Sequence, residues 1–261
     1  ALGTICAQFL ALLGVLMHFS SRKSFIRFQR DIFDIKWHTI VSMLAIGLSP
    51  FLMNICSCLV VMLVNNGLKN HGGDMYIGAY GIINRVVFLF IMIVMGFNQG
   101  MQPIAGYNFG ARQTARVFQI LKYTILCGTT VTTIGFLVCQ IFPRTIIRLF
   151  TTDEALIDLA EHGMRLILLM LPVIGFQMVS TSFFQSIGMA GKAIFLSLTR
   201  QLIFLIPCLF ILPAYYGPDG VWGSFPVADA LSTITTGLML GWQLKKFKAG
   251  GLYNTKDSVA L

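Results

Sequence analysis

Charged residues are scarce in this sequence. Asp, Glu, Lys and Arg make up only 11% of it, whereas a soluble domain carries roughly a quarter. Hydrophobic residues make up 56%, so the chain has too few charges to cover a folded surface in water. The composition excludes an ordinary soluble domain, including one that binds nucleic acid, and indicates a protein that lies in lipid.

The sequence also lacks a catalytic or metal-binding cluster. Its histidines are scattered, and they form neither a His-x-x-x-His pair nor part of an Asp-rich turn, which argues against an integral membrane enzyme. The six cysteines all lie in apolar segments, where a thiol behaves as a small hydrophobe. We therefore expect no disulfide, no metal site and no cofactor. The histidines are His18, His38, His71 and His162.

What the sequence has instead is a series of apolar runs of about 20 residues, each long enough to cross a hydrocarbon core of roughly 30 Å. Backbone groups in lipid must bond within the protein, and the alternation typical of barrel strands is absent, so the runs predict α-helices. The expected fold is an all-α polytopic membrane protein with about seven transmembrane helices. The predicted spans are 1–19, 40–64, 76–100, 118–142, 162–186, 193–213 and 221–243.

The basic residues predict how these spans are oriented. The connections after spans one, three and five, together with the tail, carry most of the Lys and Arg residues, whereas the other connections carry only Lys69, Arg144 and Arg148. Because basic residues are retained on the cytoplasmic side, the C-terminus is predicted to be cytoplasmic. The net charge of +9 is then a consequence of topology, and no nucleic-acid partner is needed to explain it.

This orientation places Ala1 outside the membrane. No initiator Met, charged leader or cleavable signal precedes the first span. We therefore expect the chain to be the back half of a longer protein, with a further lobe upstream of Ala1.

A basic, Gly-rich stretch follows the third span: Gln102-Pro-Ile-Ala-Gly-Tyr-Asn-Phe-Gly-Ala-Arg112. Pro103 and Gly106 are expected to stop the helix, and the side chains of Gln102 and Asn108 can bond the freed carbonyls. The predicted structural turn motif comprises Gln102, Pro103, Gly106, Asn108 and Gly110.

The pattern Gln-Pro-Ile-x-Gly-x-Asn-x-Gly-Ala resembles the signature of the multidrug and toxic compound extrusion (MATE) transporters of the MOP flippase superfamily. Two later stretches are similar to the same family, in order and on the expected sides. They are Phe183-Phe-Gln-Ser-Ile-Gly-Met-Ala-Gly-Lys-Ala193, followed by Ser197-Leu-Thr-Arg-Gln201, and Gly220-Val-Trp-Gly-Ser-Phe-Pro-Val-Ala-Asp229.

The resemblance implies how the chain is divided. Residues 1–19 would be the last helix of an N-terminal lobe, and 20–39 a cytoplasmic connector between lobes. Residues 40–243 would be a complete six-helix C-terminal lobe, and 244–261 a cytoplasmic tail.

The resemblance also implies the function. It is secondary antiport in the plasma membrane, the bacterial inner membrane, exporting amphipathic and often cationic compounds in exchange for H+ or Na+ by alternating access. The partners are the lipid bilayer, these substrates, the coupling ion and the missing N-terminal lobe. The alternative is a flippase for lipid-linked saccharides, and the isolated half is expected to need its partner lobe for transport.

One acidic residue, Asp229, lies inside a span, and Ser232, Thr233 and Thr236 follow it at helical spacing. A rise of about 1.5 Å per residue places Asp229 and Arg85 roughly 12 and 14 Å below the outer surface, whereas Arg200 lies about 10 Å from the inner one. Arg85 is therefore predicted to pair with Asp229. Two interpretations stay open: a structural ion pair, or a protonation site that switches the lobe between conformations.

Uncharged polar residues within the spans are candidates to line a central cavity, although such groups more often bond between helices. The candidates for substrate contact are Asn54, Gln177 and Gln201, together with Arg200.

The sequence departs from the sodium-coupled members of the family that it resembles. Those members place acidic residues in the seventh and tenth helices, but the corresponding stretches here, 48–59 and 171–185, contain none. Proton coupling through the upstream half is therefore the default expectation.

Overall fold

The structure is a computed structural model that describes residues 2–20 and 37–248. Most of the predicted connector, 20–39, and most of the predicted tail, 244–261, lie outside the described residues. The chain divides into a small unit, 1–48, and a larger unit, 49–261. The small unit contains helix α1 (Leu2–Ser20) and the start of helix α2 (Trp37–Gly72), and the larger unit contains the rest of α2 and all the later helices.

The described residues of the larger unit are helical apart from short turns. After α2 come α3 (Asp74–Gly110), α4 (Thr114–Ile141), the short α5 (Pro143–Arg148) and α6 (Glu154–Ile167). A 3₁₀ turn (Leu168–Met170) joins α6 to α7 (Leu171–Ser186). Helix α8 (Ala190–Leu198) continues through a π-helical segment (Thr199–Leu205) into α9 (Ile206–Lys248).

Five segments of these helices are long and apolar enough to cross a membrane: Phe51–Gly72, Asp74–Gly110, Thr114–Ile141, Glu154–Ser186 and Gly191–Phe247. The last contains Gly217, whose φ of 58° and ψ of −136° break the helix, so it accounts for two crossings. The shorter apolar helix Gly3–Met17 coincides with the first predicted span. The prediction of an all-α polytopic protein with about seven transmembrane helices is confirmed.

Helices α4 and α7 approach each other closely because small residues face each other between them. A Cβ atom added at Gly175 would lie 2.6 Å from the carbonyl oxygen of Gly128. The hydroxyl of Thr132 donates a hydrogen bond across the same contact to the carbonyl of Pro172, at 3.1 Å. Contacts between small residues, supported by a hydroxyl bond, are the usual way in which membrane helices pack.

Helix α6 begins directly after the polar stretch Thr151-Thr-Asp153. Asp153 is the N-cap of α6, and its carboxylate accepts a hydrogen bond from the backbone N–H of Ala155 at 3.0 Å. Capping satisfies one of the free donors of the first turn, and the acidic charge suits the positive end of the helix.

The prediction that Pro103 and Gly106 stop the third helix is wrong. Helix α3 continues through all the residues of the predicted turn motif to Gly110, and the chain reverses only at 111–113. Asn108 donates a hydrogen bond to Ile104 O at 2.8 Å, in its own helix, rather than to a carbonyl freed by the proline. A proline removes one backbone hydrogen bond, and a membrane helix tolerates that loss where its neighbours pack tightly.

Candidate functional site

A cavity of about 200 Å³ lies among the helices of the larger unit. Most of its lining is apolar, and its polar side chains come from four elements that are distant in sequence: α2, α3, the π-helical segment and α9. The polar side chains are Ser57, Tyr80, Asn84, Arg200, Gln201 and Asp229.

An ion pair between Arg200 and Asp229 forms one wall of this cavity. Arg200 Nε donates to Asp229 Oδ1 at 2.6 Å, and the side chains are 28% and 4% exposed. Asp229 is the only charged residue among the buried residues that the structure describes. Burying a carboxylate costs desolvation energy, and the adjacent guanidinium offsets part of that cost.

The prediction that Arg85 pairs with Asp229 is therefore wrong. Arg85 is exposed, and the ion pairs between described residues do not include it. Depth along the membrane normal does not determine which face of a helix a side chain occupies. On α3 the neighbours Ile83 and Val86 lie on the buried face, and Arg85 does not.

Gln201 closes the cavity from the π-helical segment. Its Nε2 donates to Ser57 Oγ at 3.1 Å, and Ser57 in turn donates to the carbonyl of Met53 at 2.9 Å. The Oε1 atom of Gln201 is buried and has no hydrogen-bond partner among the described residues. Short π-helical segments occur frequently at functional sites, and this one places Arg200 and Gln201, neighbours in sequence, on the same cavity wall.

The other two predicted cavity residues are not part of its lining. Gln177 is buried, and its Nε2 donates to Ser232 Oγ at 2.5 Å, which bonds α7 to α9. Asn54 is exposed. The polar stripe on α9 does face the interior, because Asp229, Ser232 and Thr236 are all buried.

Sequence reasoning missed Tyr80. Its ring is 8% exposed, lines the cavity and stacks on Phe225, with the ring centroids 5.8 Å apart. The signal was present in the sequence: Tyr80 lies one helical turn before Asn84, another polar residue of the same span, so the two share a face of α3.

Comparisons with known proteins bear on this arrangement. The model of the MatE family matches residues 45–211. The multidrug export protein MepA of Staphylococcus aureus (strain N315) is 28% identical over 244 residues, which cover 92% of this chain and 52% of that protein. MepA of Staphylococcus haemolyticus (strain JCSC1435) is 26% identical, covering 88% of this chain and 50% of that protein. The chain thus spans about half the length of the curated relatives that it matches.

Solved structures show the same likeness. A structure of the MATE multidrug transporter DinF-BH superimposes with a TM-score of 0.81 at 34% identity, covering 92% of this chain and 54% of that chain. A MATE in complex with MaL6 has a TM-score of 0.81 at 19% identity, covering 91% of this chain and 54% of that chain, and at that identity the likeness shows the fold alone.

Proposed function

Because the chain belongs to the MatE family, we propose that it forms one lobe of a secondary active antiporter that exports amphipathic, often cationic, drugs or toxic compounds. The exchange is for H+ or Na+, by alternating access. In this proposal the described lobe is the C-terminal one. An N-terminal lobe of the same protein packs against it, and α1 is the last helix of that N-terminal lobe. The protein lies in the plasma membrane, the bacterial inner membrane, with its C-terminus in the cytoplasm.

The observation that carries this proposal is the Arg200–Asp229 pair on the wall of a mostly apolar cavity. An amphipathic compound needs apolar contact with a few polar groups that orient it, and this lining supplies both. An ionisable residue inside a membrane is costly, so it is retained where it pairs or carries function.

Asp229 is the proposed coupling residue of the described lobe, beside the proton coupling expected through the upstream half, and Arg200 takes the place at its side that was predicted for Arg85. Protonation would remove the carboxylate charge and leave Arg200 without its counter-ion. A proton can drive a conformational change only through a difference in affinity between two states. The pair supplies a difference in proton affinity between the two states if the guanidinium of Arg200 moves away from Asp229 in one state of the transport cycle.

The lipid-linked saccharide flippase is the second candidate, since the superfamily includes such proteins. A flippase for phosphorylated lipids needs a net positive cavity, whereas the Arg that lines this cavity among the described residues is neutralised by Asp229. The charge of the cavity is therefore the property that separates the two candidates.

The test is efflux of a lipophilic cationic dye from cells that produce the intact protein. We expect export that collapses with a protonophore, and an Asp229→Asn variant that loses most of the proton-dependent export rate. The matched control is Asp219→Asn, which removes an exposed carboxylate bonded to His162 Nε2 and should leave export unchanged.

Export that persists with the protonophore and stops when sodium is withdrawn would assign the coupling to Na+. No export of any cationic dye, from a protein shown to be in the membrane, would contradict drug antiport and favour the flippase. Unchanged export by Asp229→Asn would remove Asp229 from the coupling step while leaving antiport in place.

A further inference from the structure

Arg85 carries a charge that the described lobe does not compensate. Apart from Asp74 at the start of the helix, it is the only charged residue of α3. Its side chain is exposed, and no hydrogen bond or ion pair joins it to another residue that the structure describes. Arg200, the other cation deep in the spans, pairs with Asp229. The counter-charge of Arg85 therefore comes from outside the described residues.

The position of Arg85 along α3 is too deep for the membrane surface to supply that charge. A rise of about 1.5 Å per residue places Arg85 roughly 14 Å below the outer end of the span, close to the middle of a hydrocarbon core of roughly 30 Å. Long basic side chains reach the headgroups from positions near the ends of a helix. A cation near the midplane instead pairs with another protein group or faces a water-filled cavity.

Arg85 also points away from its own bundle. The buried face of α3 contains Ile83 and Val86. Arg85, Leu89 and Met92 follow the spacing i, i+4, i+7, so they lie on one face of the helix. Leu89 and Met92 are each 58% exposed. Arg85, Leu89 and Met92 are called the Arg85 stripe below.

The charge distinguishes this stripe from the other exposed apolar surfaces of the lobe. Helices α4 and α9 also expose apolar side chains, within 123–141 and 230–244, and neither stretch contains a charged residue. Such uncharged surfaces suit contact with acyl chains. A guanidinium in the middle of a lipid-facing surface would be costly, so the Arg85 stripe is better suited to contact with protein.

The Arg85 stripe lies beside the cavity. Asn84, Val87 and Ile91, at the spacing i, i+3, i+7, line the cavity from another face of α3. Because Asn84 both lines the cavity and is exposed, the cavity reaches the surface of the lobe next to Arg85. A second lobe that covered the cavity at this point would therefore also cover the stripe.

We propose that Arg85 pairs with a carboxylate of the N-terminal lobe, in a contact between the two lobes beside the cavity. The proposal rests on the two-lobe architecture of the proposed function, and the chain spans only about half the length of the relatives that it matches. It does not depend on the substrate or the coupling ion. A guanidinium can bind a carboxylate through two parallel N–H donors, and Leu89 and Met92 would keep water away from the pair.

The test is a charge exchange in the intact two-lobe protein in nanodiscs, measured as a melting temperature. Arg85→Glu should lower the melting temperature by roughly 3–5 °C, because the carboxylate of the N-terminal lobe then faces a second negative charge. In that variant, each Asp or Glu within the spans of the N-terminal lobe is replaced in turn by Arg. One of these exchanges should recover most of the loss.

The matched control is Arg116→Glu. Arg116 is also exposed and has no ion pair among the described residues, but it lies in the first turn of α4, at the end of the bundle. A charge at such a surface position contributes little, so the melting temperature should change by less than about 1 °C. The measurement does not require export, so it remains valid for a protein that transports none of the dyes.

Three results would overturn the proposal. If Arg85→Glu melts no lower than Arg116→Glu, then water compensates the charge of Arg85. If no exchange recovers the loss, the partner is not a carboxylate of the N-terminal lobe. A loss seen in phosphatidylglycerol nanodiscs and absent in phosphatidylcholine nanodiscs would identify an anionic lipid as the partner.

Discussion

Asp229 is buried as deeply as the apolar side chains around it, so its charge is compatible with the fold only in the presence of Arg200. Removing one partner of a buried pair leaves the other charge without compensation, whereas replacing both by neutral groups removes the penalty. The stability of the bundle should therefore depend on the pair as a unit and respond unequally to single and double substitutions.

We expect Arg200→Gln to lower the free energy of unfolding by about 2–3 kcal/mol, a range reduced by the partial exposure of the guanidinium. The double variant Arg200→Gln/Asp229→Asn should recover most of that loss. Thermal unfolding of the detergent-solubilised protein measures both. A double variant as unstable as the single one would mean that the pair does not act as a unit.

For single residues, the sequence predicts which polar side chains face the interior, but it does not predict which residue each of them contacts. Asp229 and the stripe of Ser232 and Thr236 were found because polar groups at helical spacing in an apolar run must face the interior. The partner was missed because it depends on helix rotation. The π-helical segment changes that rotation locally at Arg200, and nothing in the residues 199–205 alone signals it.

At the scale of the elements, the α4–α7 contact depends on the absence of side chains at two glycines. Gly175 leaves no room for a Cβ, since Gly128 O and Thr132 Oγ1 both lie 2.6 Å from where it would be. These neighbours are a backbone carbonyl and a hydroxyl that is itself bonded across the contact, so neither can move away cheaply.

We expect Gly175→Ala to force α4 and α7 apart and to destabilise the protein by about 1–3 kcal/mol. Gly96→Ala on α3 is the control, because nothing lies within 4 Å of its added Cβ, and alanine favours the helix there. Thermal unfolding of the two variants side by side measures the difference. Equal melting temperatures for both variants would show that the contact can relax.

The ends of the helices illustrate why hydropathy is an incomplete guide to an element. The third span was predicted to end at residue 100, where polar residues, Pro103 and several glycines begin, yet α3 continues to Gly110. Gly106 faces the end of α7, where an added Cβ would lie 3.1 Å from Ser186 O. The small size of Gly106 allows close packing between helices. From the sequence alone, a glycine that packs in this way cannot be distinguished from a glycine that forms a turn.

For the whole molecule, the number and order of the spans could be predicted because each apolar run must cross the same thickness of lipid. The described helices extend beyond the predicted spans at most ends, as α6 does by starting at Glu154 instead of residue 162. Those extra turns contain charged and polar residues, which lower their hydropathy. Hydropathy cannot detect them, whereas the N-cap at Asp153 does mark one of them in the sequence.

The distribution of basic residues predicts how the bundle is oriented across the membrane. Among the described residues, the end near Lys245 is basic, whereas Asp219 lies at the other end beside His162. Because the positive-inside rule places the basic end in the cytoplasm, Lys245→Cys should react with a membrane-impermeant maleimide only in inverted vesicles. Asp219→Cys should react only in intact cells, and the parent protein supplies the background from its own cysteines. Labelling of the two positions from the same side would contradict an odd number of crossings between them, and the reverse pattern would place the basic end outside.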